Sequence, residues 1–383
     1  MPPMRRPMGQ GTIVPWTPTP TGQKRWRIAV TMADGKRVWR VARSPREAER
    51  TRRQLVDARE LGLDSSRQTV AGFLRSWIAG LRGARNASIR PRTLQHYEMI
   101  VERHLVPALG SLPLASLTPA RIQAYLDADD AAPRTVHHHR AVLRRALNVA
   151  VRERRLPYNP AALVQPPRVD RDKADPLTAD EARRLLEATA GDRLHALWRL
   201  ALVTGLRQGE LLGLAWDDVK PGAVVVRAQL QRLAKADGGD DNGWARTPTK
   251  AARTVDRIAI DAGTADVLAD HKRRQAVERT PAWRYFGLAF VTERGDPYHP
   301  SVIRNRFREA CEAAGIRVRR FHDLRHSSAA IAKDAGVGED VRQARLGHNT
   351  TAMARRYGGS SAEMDRRAAD AIASELVARE VAR

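Results

Sequence analysis

His322-Asp-Leu-Arg325-His326 sets an imidazole and a guanidinium three residues apart, and a second imidazole follows in Leu346-Gly347-His348. Nine residues after His348 comes a phenol, Tyr357. Side chains three apart share one side of a helical turn, so His322 and Arg325 can point at one ligand. His348 and Tyr357 follow within about ten helical turns of chain and can converge on the same pocket. No metal-ligand spacing accounts for the set. Cations, imidazoles and one phenol together suit a phosphate that is attacked by tyrosine.

A further cation stands upstream. Thr204-Gly205-Leu206-Arg207-Gln208-Gly209-Glu210-Leu211 places Arg207 just after a glycine turn, at the start of a short helix. Free N–H groups and the positive end of the dipole favour phosphate there. Glu210, one turn along, can hold the guanidinium in a fixed orientation, which makes Arg207 a partner for Arg325.

The elements that must position these residues are readable in outline. With 383 residues the chain is too long for one ordinary core. Its net charge of +24 favours a nucleic-acid partner, because phosphates give affinity through counterion release. Arginine outnumbers lysine, which suits bidentate phosphate contacts and equally a GC-rich genome. The charge is spread along the chain, and the C-terminal third carries Arg317, Arg319, Arg320, Arg342, Arg345, Arg355 and Arg356. One cysteine, Cys311, excludes an internal disulfide framework. No apolar run is long enough to span a membrane, and the first residues lack the apolar stretch of a secretory signal, so a cytoplasmic protein is expected.

Residues 1–20, rich in proline, glycine and threonine, are expected to be partly disordered. Strands at 25–31 and 37–42 flank a turn at Ala33-Asp34-Gly35, and Ser44-Pro45-Arg46-Glu47 caps a helix that runs to about residue 62. Trp26 and Trp39 are expected to supply the core of this ββα unit. Between 69 and 165 the apolar period is helical throughout, in four helices with arginines on their opposite faces. His137-His138-His139 cannot all face one metal ion from a helix, and this face is expected to be solvated or turned to DNA. The proline-dense 157–167 and charged 169–175 read as a linker. A second capping box, Thr178 to Glu181, opens the last part, with helices at 181–188 and 193–203. Strands follow at 223–230, 245–249 and 255–260, forming a small antiparallel sheet. Helices return at 262–277, 300–314, 323–335 and 340–346 and in the tail.

This order of motifs resembles the tyrosine recombinases of the phage integrase family. The resemblance rests on Arg207 in TGLRQGELLGLAW, on His322 and Arg325 in HDLRH, on His348 in LGH and on Tyr357. It is strong over about 180–360, while 69–165 is similar in size and position to the family's core-binding domain. It implies a multidomain chain with the tyrosine recombinase fold: an arm-binding β-α module at 1–65 and an all-α core-binding domain at 69–168. A mainly-α catalytic domain with a small antiparallel sheet then fills 174–365, and a helical tail 366–383. It also implies that Tyr357 attacks the scissile phosphate and that Arg207 and Arg325 bind its non-bridging oxygens. His322 moves a proton, His348 bonds the phosphate, and Glu210 orients Arg207. The lysine that protonates the leaving oxygen is assigned to Lys250, with Lys235 as the alternative. Neither cofactor nor metal is required.

The expected partners are double-stranded DNA attachment sites, three further copies of the chain in a synaptic tetramer, and an excisionase or host DNA-bending protein; no membrane is expected. The expected function is integration and excision of a mobile element or prophage. The rivals are a dimer resolvase of the Xer type, a type IB topoisomerase and a catalytically inactive DNA-binding regulator. The tail can pack on its own domain or on a neighbouring copy.

Overall fold

Alternating side chains in the N-terminal region build a three-stranded antiparallel sheet, one strand more than the expected hairpin. β1 (Thr12–Trp16), β2 (Arg25–Thr31) and β3 (Arg37–Ala42) run in that order. The computed structural model describes residues 11–18, 22–32, 35, 37–60, 68–83, 89–169, 174–249, 257–347 and 362–377. Lys250, His348, Tyr357 and most of the Ala33-Asp34-Gly35 turn lie outside the described residues. β1 falls in the stretch expected to be partly disordered. It pairs with β2 from Thr12↔Ala29 to Trp16↔Arg25, and as an edge strand it tolerates Pro15.

Pleating turns Trp26, Ile28, Val30, Val38 and Ala42 toward helix α1 (Pro45–Glu60). Glu47 N–H at the start of α1 donates to Ser44 Oγ at 3.1 Å. Trp39 corrects the expectation for the core: it pairs with Ala29 on the other face and is 36% exposed. There the Arg27 guanidinium lies 3.7 Å from the Trp39 ring centroid and 4.3 Å from that of Trp16.

The helical region has the expected four helices, with one irregularity. α2 (Val70–Gly83) is followed by α3 (Pro91–Ile100), which continues through a π-turn at Val101–Leu105 into α4 (Val106–Leu109). α5 (Pro119–Asp127) and α6 (Pro133–Arg152) complete it. Phe73, Leu74, Leu105, Ile122, Leu143 and Leu147 form the core.

The histidine run does not present one solvated face, because successive residues on a helix point about 100° apart. His139 is buried, with Nδ1 2.8 Å from Asp129 Oδ2 and its ring 4.2 Å from that of His104. His137 Nε2 donates to Pro167 O at 2.7 Å. The proline-dense segment is likewise no free linker: Ala161 and Val164 pack into the helical core, and Asn159 Nδ2 donates to Arg144 O at 2.8 Å.

Contacts divide the chain into two units, on either side of Arg171 and Asp172. The second opens with α7 (Ala179–Ala188), where Thr178 and Glu181 form the expected capping box. α8 (His195–Thr204) and the short α9 (Gln208–Leu212) follow. The strands fall into two sheets rather than one. β4 (Val219–Lys220), β5 (Ala223–Val225) and β8 (Arg257–Ala259) form a sheet in the order β4-β5-β8, while β6 (Ala228–Arg232) and β7 (Trp244–Pro248) form a hairpin. The expected strand 223–230 breaks at Val226 and Arg227. The Val226 side chain is buried, and Arg227 Nη1 donates to the buried Asp218 Oδ1 at 2.5 Å.

Helices α10 (Ala262–Glu278), α11 (Pro300–Ala313), α12 (Asp323–Asp334) and α13 (Glu339–Leu346) lie close to their expected bounds. The last helix, α14 (Ala362–Leu376), packs on its own chain, with Ile372 and Leu376 in the same core as Leu185, Trp198, Phe307 and Phe321.

One core histidine makes this unit acid-sensitive. His271 is 5% exposed, its Nε2–H donates to Ala289 O at 2.9 Å, and burial pulls its pKa down to about 4. The unfolded chain takes up that proton near pH 6.5, so between the two values it binds more protons than the folded chain. The contribution of His271 is therefore whole above about pH 6.5 and is lost as pH falls toward 4, by up to about 3 kcal/mol. Urea unfolding at pH 7 and pH 4.5 checks this: a His271→Gln variant is expected to lose less stability on acidification than the wild type, and an equal loss would contradict it.

Candidate active site

Arg207 is fixed by the glycine turn before it and the carboxylate after it. Gly205 caps α8 with φ +64°, and a Cβ there would lie 2.5 Å from Leu346 Cδ2, so both conformation and space demand glycine. Arg207 then occupies the N-cap of α9. Glu210, 3% exposed, accepts from Arg207 N–H through Oε2 and from Arg207 Nη1 through Oε1, both at 2.9 Å. One buried carboxylate thus holds both ends of the arginine. α9 rests on β6 at backbone distance, since a Cβ on Gly213 would come within 2.6 Å of Leu230 N.

Arg325 sits in the first turn of α12 and is 5% exposed. Its Nη1 donates to Gly205 O at 2.7 Å and its Nη2 to Leu346 O. Gly205 and Leu346 end α8 and α13, so two helix C-termini with unpaired carbonyls and negative dipole ends converge on one buried guanidinium. That arrangement offsets much of the cost of burying the charge. Arg325 and Arg207 are joined through the Gly205 turn although 118 positions separate them in sequence.

His322 precedes α12 and reaches solvent. Partial desolvation first, then the charges of His326, Arg325 and Arg207, hold its pKa below the ordinary histidine value, against an opposing pull from Asp323. His322, Arg325 and Arg207 therefore share one electropositive neighbourhood. The turn before α12 is fixed by Asp323, which accepts from Arg320 N–H at 3.1 Å, and α12 itself is tied to the segment before α7 by Ser327, whose Oγ accepts from Leu177 N–H at 2.8 Å.

Lys250 follows β7 by two residues, beyond the described Thr249. The hairpin that leads to it is tied down where Arg246, on β7, donates to the buried Asp218 and to Gly213 O at 2.9 Å. Lys235 is placed at the far end of the hairpin, where its Nζ donates to Asp241 Oδ1 at 2.5 Å. His348 follows Gly347, the left-handed cap of α13, and Tyr357 falls between that cap and Ala362 at the start of α14. Among the described residues no group of three His, Cys, Asp or Glu side chains could hold a metal ion, and no helix is long and apolar enough to cross a membrane.

Sequence reasoning misassigned one arginine near the site. Arg345, counted with the C-terminal surface charge, is 4% exposed and paired with the buried Asp365. Nothing in the local sequence marks it, because its partner lies 20 residues on in a different helix. Asp218 was missed for a similar reason: of its two arginines, Arg227 lies in the break before β6 and Arg246 on β7.

Comparison with known proteins gives the family and the fold. Residues 176–364 match the phage integrase family, and residues 73–128 match the phage integrase N-terminal SAM-like domain; together these cover more than half of the chain. An integrase of Streptomyces ambofaciens is 28% identical over 306 residues, 74% of each chain. The Tn1549 transposon integrase, solved in complex with transposon right end DNA, is 18% identical with a TM-score of 0.62 over 80% of this chain and all of that one. A lambda integrase tetramer bound to a Holliday junction is 20% identical with a TM-score of 0.55 over 87% of this chain and 95% of that one. The fold is that of a tyrosine recombinase. The chain belongs to the phage integrase family, whose members are site-specific DNA recombinases.

Proposed function

We propose that this enzyme integrates and excises a mobile element by cutting and rejoining DNA at its attachment sites through a 3′-phosphotyrosine. The observation that carries this reading is the convergence of Arg207, His322 and Arg325 around the Gly205 turn. Tyr357 Oη attacks the scissile phosphorus in line. The P–O5′ bond breaks, and the DNA 3′ end becomes a tyrosyl ester while the 5′ oxygen leaves as a hydroxyl. Arg207 and Arg325 bind the two non-bridging oxygens and stabilise the charge that builds in the pentacoordinate state. His322, kept largely neutral near pH 7, accepts the Tyr357 proton, and Lys250 supplies one to the 5′ oxygen. His348 completes the bonds to the phosphate. Rejoining reverses these steps with a new 5′-hydroxyl, and since the ester keeps the bond energy, no high-energy cofactor enters.

Four copies are proposed to act on two DNA sites, with an excisionase or DNA-bending protein setting direction. Two marked duplexes carrying the attachment cores decide between this and the topoisomerase reading: recombinant products support strand exchange, and relaxation without recombinants would remove it.

The N-terminal sheet is proposed as a second DNA contact, which argues against a dimer resolvase. Its open face carries Arg27 between Trp16 and Trp39, with Arg37 also 4.7 Å from the Trp39 ring. Two indole rings within cation–π range restrict the guanidinium, which suits a phosphate or a base edge. Arg27→Ala is expected to weaken binding to arm-type DNA and to lower the slope of log K against log salt by about one, while cleavage at the core site stays unchanged. Fluorescence titration at several salt concentrations reads the slope, and an unaltered slope would take Arg27 out of the contact.

A further inference from the structure

Two buried charges in the second unit play no part in the chemistry above. Arg345 is 4% exposed and Asp365 6%. A buried ion pair regains its desolvation cost only where further hydrogen bonds satisfy both partners, and here those bonds reach the segments that frame the site. Arg345 Nη2 donates to Val203 O at 3.0 Å and to Ala259 O at 3.1 Å, while Nη1 donates to Asp365 O at 2.9 Å and to Asp365 Oδ1. Asp365 Oδ2 accepts from Ala259 N–H at 2.6 Å.

The location of each partner matters. Val203 lies in the last turn of α8, two residues before the carbonyl that holds Arg325. Ala259 ends β8, the strand that follows the Lys250 segment. Arg345 is the direct neighbour of Leu346, the other carbonyl on Arg325. The terminal carbonyls of α8 are thus divided between two arginines: Val203 O goes to Arg345 and Gly205 O to Arg325. Asp365, in the first turn of α14, brings the C-terminal helix into the same network.

We infer that Arg345 and Asp365 are a positioning pair, through which the seating of α14 sets the ends of α8 and α13 and with them the catalytic arginines. The inference rests on Arg207 and Arg325 binding the scissile phosphate. Without the pair, α14 can still bury Ile372 and Leu376, but the carbonyls that orient Arg325 lose their second anchor. The helix after the nucleophile segment thereby becomes part of the device that aligns the phosphate-binding groups before it.

The test uses the full chain and two variants. Asp365→Asn keeps the shape and removes the charge; Leu376→Ala loosens the same helix without touching the pair. One readout is single-turnover formation of the protein–DNA adduct on a nicked duplex carrying the core sequence read from junctions made by the wild type. The other is the titration of His322 without DNA, followed by NMR of ε1-labelled histidines and assigned with His322→Gln. For Asp365→Asn the cleavage rate constant is expected to fall about tenfold, as small misplacements of reacting groups do, with adduct amplitude and DNA affinity unchanged. Its His322 titration is expected to move up by about half a pH unit as the Arg325 and Arg207 charges draw away. Leu376→Ala should lower thermal stability and leave both readouts in place. An unmoved rate and titration in Asp365→Asn, or equal slowing in both variants, would overturn the pair. If the wild type forms no adduct, it is the reading of the site that fails. The titration then still judges the pair: a shift in Asp365→Asn alone upholds the coupling, and no shift removes it.

Discussion

Tyr357→Phe is expected to abolish the covalent protein–DNA adduct, lowering its formation by at least about 10³-fold, while binding of the same duplex stays within a factor of about two. The substitution removes one oxygen and leaves the ring, so loss of binding is not the anticipated defect. The chain around the position supports this assignment. Residues 348–361 run from the cap of α13 to the start of α14, and both ends join the network that holds Arg325: Leu346 through its carbonyl, α14 through Asp365 and Arg345. Tyr357 lies eleven positions after Leu346. An extended chain covers about 3.3–3.6 Å per residue, so the phenol has ample reach to the site. Denaturing gels with labelled duplex read the adduct directly. An adduct that survives in Tyr357→Phe would pass the nucleophile's role to another residue.

Removal of Arg325 is expected to damage both chemistry and fold, and its variants separate the two. Arg325→Ala removes the proposed donor to the phosphate, and loss of such a donor typically costs about 10²- to 10³-fold in rate. It also leaves Gly205 O and Leu346 O without their buried donor, at about 1–3 kcal/mol each. Arg325→Lys keeps the charge but replaces a planar fork with a single ammonium, which cannot span two helix ends and the phosphate together. The lysine variant should therefore keep most of the thermal stability and still cleave at least about 10²-fold more slowly. Cleavage within threefold of the wild type in Arg325→Lys would show that the guanidinium binds no transition-state charge.

The features readable in sequence were those carried by local pattern. The helical period at 69–165 and the caps at Ser44 and Thr178 act within a few residues, and the elements lie where those signals place them. Arg207 and Glu210 stand one turn apart, so their contact was legible before any fold was known. What escaped was set by partners distant in the chain. β1 is a strand because β2 offers it an edge, not because of its own proline-containing composition. Arg345, His139 and Asp218 look like ordinary surface charge or polar residues until the fold supplies Asp365, Asp129 and the arginines on β6–β7 and its approach. Trp39 was misplaced by parity: one residue either way along β3 is the difference between core and open face.

The close contact between α9 and β6 has a mechanical meaning. At Gly213 and Gly209 the helix that follows Arg207 meets the β6 backbone through hydrogens alone, with a Cβ excluded at 2.6 Å in one case and crowded at 3.3 Å in the other. Side-chain contacts can absorb strain by changing rotamer, whereas touching backbones have no such slack. A force that displaces the β6–β7 hairpin is therefore delivered almost undiminished to the turn that bears Arg207. In this joint two missing methyl groups give the enzyme stiffness, at the turn that bears Arg207.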